Sequence, residues 1–205
     1  MRKNIVEDSR LFSNTPQSFQ ISAVYEDAEE LTELLVTYFK EGIEGGEYCL
    51  WISPDKLATE GAISELKKAG VDIEHYLTSS QLQILPVNPF PVNLTLLASA
   101  VKEVAEKGYG KALSGGFSGF RTNFDFKNTG NSLKPCFEMC GKAVETVVFE
   151  NKKSFTLLCT LPLEELSGRA LLDLMDVSSV FAKKKGKWKR FRNLEGKTEL
   201  ENNFF

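Results

Sequence analysis

The chain has 205 residues, of which 42% are hydrophobic and 26% charged, and its net charge is −3. That is enough for one α/β domain with a sizeable core. No apolar run approaches the roughly 20 residues that span a bilayer. The start, Met1 to Arg10, carries charges of both signs and no apolar signal core, so the expected location is the cytoplasm.

Residues 1–18 are polar and aperiodic and read as a flexible lead-in. Phe19 to Tyr25 is a short apolar strand. Asp27 is placed to cap the next helix, with Glu30 completing a capping-box pattern. Leu31, Leu34, Leu35, Tyr38, Phe39 and Ile43 then recur at helical spacing up to Gly45-Gly46. Tyr48 to Ser53 is a near-continuous apolar run, the pattern of a strand covered on both faces. Leu57–Ala69 predicts a helix ended by Gly70, followed by a short helical piece over Asp72–Leu77. Leu82–Leu85 predicts a third strand before Pro86, Pro89 and Pro91. Leu94–Lys107 predicts a helix stopped at Gly108, and Lys111–Gly115 a fourth strand entering a Gly-rich turn. Leu133–Phe149 is a helix with Pro135 in its first turn. Ser154–Thr160 is the clearest buried strand, Leu163–Met175 an amphipathic helix, and Val180–Lys184 with Lys187–Phe191 an antiparallel hairpin. Strands alternating with long helices imply a mostly parallel sheet. One domain over residues 19–192 is expected, with 193–205 as a tail.

Ligands of such sheets sit beyond the carboxyl ends of the strands. On these boundaries that rim is made of Tyr25-Glu26, Ser53-Pro54-Asp55, Pro86-Val87-Asn88, Ser114-Gly115-Gly116-Phe117 and Thr160; ordinary turn and cap roles are the competing reading. A phosphate loop needs a Gly-rich turn with a lysine between the first strand and its helix. Here Glu26 and Asp27 stand in that place, which argues against nucleotide hydrolysis of that kind. Ser114 to Gly119 lacks both the full glycine pattern and a following lysine, and is read as a tight turn. His75, the single histidine, lies on an exposed helical turn with no triad partners in view. Cys49, Cys136, Cys140 and Cys159 read as small buried hydrophobes. No metal or other cofactor is expected from their spacing. Residues 183–192 carry seven basic groups and no acid, leaving the rest of the chain near −10. Lysines protecting a sheet edge account for this better than nucleic-acid binding does.

Taken in order, these segments resemble the MEDS family, the methanogen/methylotroph DcmR sensory domain. The carriers are Val24-Tyr-Glu26, Tyr38 to Ile43, Glu47 to Ile52, Ser80 to Leu85, Lys107-Gly-Tyr109, Ser114-Gly115, Leu158-Cys-Thr160 and Lys185 to Trp188. The resemblance implies a three-layer RecA/KaiC-like fold that lacks the phosphate loop. Its central sheet is mostly parallel, with helices on both faces and a C-terminal antiparallel hairpin. It also implies a sensor of small hydrocarbon derivatives that works with kinase or DNA-binding modules. The chain departs from the family pattern at Gln20 (a histidine), Gly116 (an acid), Gly119 (a tryptophan) and Ser178-Ser179 (an Asn-His pair). With no room for an output module, any signal is expected to pass to a separate partner.

Three readings follow. The first is a non-catalytic sensory domain binding a small organic ligand at the rim. Tyr25, Trp51 and Phe117 would form its walls, and Glu26, Ser53, Ser114 and Thr160 would orient the ligand; Asp55 and Gly115 belong to the same expected site. The second is a degenerate RecA-like protein–protein module, a homo-oligomer or the partner of another chain. The third is a nucleotide-binding enzyme.

Overall fold

The computed structural model describes residues 12, 18–53, 56–86, 94–127, 133–151, 153–184 and 186–191. A seven-stranded sheet runs in the order β3-β2-β4-β5-β1-β6-β7. The strands are β1 (Ser18–Tyr25), β2 (Tyr48–Ser53), β3 (Leu82–Pro86), β4 (Gly119–Asp125), β5 (Ser154–Pro162), β6 (Ser179–Lys184) and β7 (Lys187–Phe191). All neighbours pair in parallel except the β6–β7 hairpin, which closes through Gly186 at φ +76°.

Helices cover both faces, giving three layers. On one face α1 (Ala28–Glu44), α2 (Lys56–Lys68) and α3 (Ile73–Thr78) enclose a core with Ile21, Cys49, Trp51, Leu158 and Phe181. On the other, α4 (Leu94–Ser114), α5 (Leu133–Asn151) and α6 (Gly168–Val177) pack on Leu50, Ile52, Phe120, Phe124, Leu157 and Leu161. Both cores are built by alternation: along β5, Leu158 faces α1 while Leu157 and Cys159 face the other layer.

Two expectations fail here. The helix expected to stop at Gly108 continues to Ser114, so Lys111–Gly115 is helix end and turn, and the fourth strand is Gly119–Asp125. Gly108 is kept for contact, not for termination: a Cβ there would lie 2.1 Å from Phe120 Cζ, so the glycine lets α4 approach the sheet. The strand was hidden by Arg121, Thr122 and Asn123, all buried polar residues. The helix expected over Leu163–Met175 is also divided. A 3₁₀ turn, Leu163–Glu165, precedes α6, whose cap is Ser167 Oγ accepting from Ala170 N.

The strand β4 is held by specific polar bonds. Its ladder with β2 ends at Leu50–Thr122. Beyond that point the Asn123 side chain accepts from Ile52 N at 2.9 Å and donates to Ile52 O at 3.0 Å. An amide side chain thus replaces the ladder where the two strands part. At the opposite end, Arg121 forms a buried ion pair with Glu47, donates to Tyr38 O at 2.8 Å and lies over the Tyr38 ring. Gly42 makes room for it, since a Cβ there would lie 2.6 Å from Arg121 Cδ.

Candidate functional site

The rim is assembled from carboxyl ends. Strands β1 and β5 lie side by side, yet the chain leaves β1 for the α1 layer and β5 for the α6 layer, which is a switch point of the sheet. There Tyr25 ends β1, Thr160 lies near the end of β5, and Asp125 ends β4, paired in register with Thr160. Thr160 Oγ1 donates to Asp125 Oδ1 at 3.1 Å, and Tyr25 Oη reaches Asp125 Oδ1 and Oδ2 at 3.3 and 3.4 Å. Tyr25 and Thr160 are buried, and Asp125 is partly so.

Burial dominates the electrostatics of this group. It pushes the Asp125 carboxyl up to about 6 from 3.8; Thr160, Tyr25 and Lys127 act in the opposite sense, and Glu165 adds to the rise. The Tyr25 hydroxyl is also raised, first by burial and then by Asp125. The arrangement offers a carboxyl group that changes charge near neutral pH, flanked by two hydroxyls. It suits hydrogen bonding to a small polar group, and the carboxylate form of Asp125 repels a phosphate.

The neighbouring helix start is closed to anions as well. Asp27 Oδ1 accepts from Glu30 N at 2.9 Å, and Glu30 Oε2 accepts from Glu26 N at 2.9 Å. The chain's own carboxylates thus occupy the N–H groups of Glu30 and Glu26 and put negative charge where a phosphate would have to sit. The second half of the expected capping box is shifted by one residue, to Glu26.

The predicted residues divide into four groups. Tyr25, Ser53 and Thr160 lie at the carboxyl ends, buried, with Glu26 exposed beside them. Trp51 is no rim wall: it is 1% exposed and stacks on Phe39 at 4.8 Å within the core beneath α1. Ser114, Gly115 and Phe117 lie before β4, at the amino-terminal end of the sheet, because the strand that was to carry them is the end of α4. Phe117 there neighbours Tyr48, and its carbonyl accepts from Lys153 Nζ. Asp55 lies outside the described residues. Asp125 was missed; the signal for it was Phe120, Phe124 and Phe126 at even positions with a terminal acid.

The departures from the family pattern lie away from this rim. Gln20 sits in the first half of β1 against Cys159 and Gly141. Ser178 Oγ contacts Ser22 Oγ, and Ser179 Oγ accepts from Arg190 at the start of β6. Gly116 occupies the turn after α4 at φ +73°, and Gly119 meets Ser154 too closely for any side chain. Among the described residues, no group of three or more His, Cys, Asp or Glu is placed to hold a metal. None of the described helices is long and apolar enough to cross a membrane.

Sheet order, layering and the antiparallel edge hairpin define a RecA/KaiC-like α/β domain. The fold is similar to that of the flagellar accessory protein FlaH from Methanocaldococcus jannaschii, with a TM-score of 0.53 and 15% identity over 90% of this chain and 83% of that one. At that identity the likeness concerns the fold alone. The chain belongs to the MEDS family, the methanogen/methylotroph, DcmR sensory domain, whose model matches residues 21–177. No curated protein sequence matches it.

Proposed function

We propose that the chain is a non-catalytic sensory domain that takes a small organic ligand at the carboxyl rim of its sheet and signals through a separate partner. The family supports the sensory role. The observation that carries the site is the Tyr25–Asp125–Thr160 group at the switch point, beside a helix start filled by Glu30 and Asp27. A buried carboxyl is costly unless its polarity is used, which is why such groups cluster at binding sites. Glu26 and Ser53 border the same rim and would orient the ligand. The same self-capped helix start disfavours a nucleotide-binding enzyme.

The test is a thermal-shift screen of small organic metabolites against the wild type, Tyr25→Phe and Asp125→Asn, with ATP and GTP included. Saturation at 100 times Kd stabilises a protein by about 2.7 kcal/mol. A hit that the variants weaken, with nucleotides silent, supports the reading. A nucleotide shift, or silence across the panel, counts against it.

The protein-interaction reading draws on a different observation. Leu163 and Leu172 are 41% and 64% exposed on the 3₁₀ turn and α6, where apolar side chains favour contact with another chain. Sedimentation velocity of the wild type and Leu172→Lys separates the two: a self-association lost in the variant moves the function to that surface.

A further inference from the structure

The polar groups at the switch point spend their hydrogens on one another. Thr160 Oγ1 and Tyr25 Oη both donate to the Asp125 carboxylate, and each hydroxyl has a single proton to give. Thr160 is fully buried, whereas Asp125 is only half-buried and is the member a ligand reaches. What the group has left to offer is acceptors: the remaining lone pairs of the Asp125 carboxylate and those of Tyr25 Oη. A matching ligand brings donors and needs none in return. A carboxylate brings only acceptors, and an alcohol brings one donor with lone pairs of its own. A protonated amine brings N–H donors and no acceptor.

The charges point the same way. Both partners of Asp125 are neutral hydroxyls, and the ion pairs among the described residues do not include it. Burial of a carboxylate without a counter-charge is unfavourable, and burial is the first cause of the rise in the Asp125 carboxyl. The charged groups around the pair come from three elements. Lys127, just past β4, favours the ionised form of Asp125 through space, and Glu165 of the 3₁₀ turn opposes it. Glu165 and Glu164 also raise the Tyr25 hydroxyl, and Glu26 is exposed beside the end of β1. Three carboxylates thus stand against one lysine, and no cation is bonded to the buried one. An ammonium group would supply both the missing counter-charge and the missing donors.

We propose that the ligand of the rim is a small organic amine in its protonated form, donating to the Asp125 carboxylate and to Tyr25 Oη. This rests on the reading of the rim as the ligand site and names the class of compound that fills it. Binding is then linked to a proton. Asp125 has to be ionised to hold the ammonium, so affinity is level at neutral pH and falls as the pH drops through about 6. An acid ligand has the opposite sign, because ionised Asp125 repels its carboxylate.

The experiment uses the isotope-labelled full-length chain and three matched probe series: primary alkylammonium ions of two to six carbons, and the alcohols and carboxylates of the same lengths. Backbone amide NMR shifts of Asp125 and Phe126 report on the rim, since Phe126 N donates to Thr160 O. The expected result is saturable binding of an ammonium ion, at least tenfold weaker binding of its alcohol, and none of its carboxylate. Ammonium binding is expected to be roughly tenfold weaker at pH 5 than at pH 7. Asp125→Asn should abolish it; if that variant does not fold, the wild-type pH profile decides. An affinity that is flat or rises toward pH 5 overturns the proposal, as does ammonium binding that folded D125N retains. An alcohol or carboxylate that binds the rim as tightly as the ammonium ion overturns the amine and leaves the rim reading standing. Silence of the rim toward every probe also overturns the amine, and the metabolite screen then decides the rim reading separately.

Discussion

Asp125 makes the candidate site answerable to stability measurements. Its carboxyl moves from 3.8 to about 6 on folding, with burial as the leading cause. A carboxyl raised in the folded state binds its proton more tightly there than in the unfolded chain. Its full contribution to stability is therefore present below pH 3.8 and is lost as the pH rises through 6. At about 1.4 kcal/mol for each pH unit between the two values, the loss is about 3 kcal/mol. Asp125→Asn keeps an acceptor for Tyr25 and Thr160 and cannot ionise. Urea denaturation of both proteins from pH 4 to pH 8 isolates this residue, because every other group titrates alike in the two. The variant is expected to match the wild type near pH 4 and to exceed it by about 2–3 kcal/mol at pH 8. A constant difference across that range would refute the assignment of a buried, perturbed carboxyl to this rim. A ligand hydrogen bonded to Asp125 should in turn bind with a pH dependence centred near 6 in the wild type and flat in the variant.

Three further outcomes test the framework around the site. Glu47→Leu strands the buried Arg121 charge and is expected to lower stability by about 3–5 kcal/mol in urea titration, whereas joining it to Arg121→Met restores most of that loss. Gly108→Ala drives a methyl into Phe120 and is expected to cost about 1–3 kcal/mol. Gly110→Ala, with open space around it, should gain about 0.5–1 kcal/mol, so thermal melts of the pair should move in opposite directions. All four cysteines are buried, and burial pushes the Cys136 thiol up to about 11 and those of Cys49 and Cys159 up as well. A maleimide at neutral pH is then expected to label them only at the rate of unfolding; fast labelling of any one would show its segment opens locally.

What was legible in the sequence was local. The cap of α1, the stop of α2 at Gly70, the apolar runs of β2 and β5 and the β6–β7 hairpin follow from period, propensity and turn chemistry within a few residues. So does the closing of the α1 start to phosphate, because Glu26, Asp27 and Glu30 lie within one turn of each other. These signals sufficed for a mostly parallel sheet covered on both faces, and for placing Tyr25, Ser53 and Thr160 at its carboxyl ends.

What only the tertiary structure decided concerns α4 and β4. By propensity Gly108 and Gly110 end a helix, and Arg121-Thr122-Asn123 does not look like a central strand. The helix continues because Gly108 must let Phe120 in. The strand is buried because Glu47, Leu50 and Ile52, some 70 residues earlier, satisfy its polar side chains. Those partners come together only when β2 and β4 pair, and no local period reports them. The shift carried Ser114, Gly115 and Phe117 to the far end of the sheet and brought Asp125 to the rim, while Trp51 is held in the core by Phe39 of α1. Pairing across the sheet, which sequence neighbours do not encode, set the chemistry of the site.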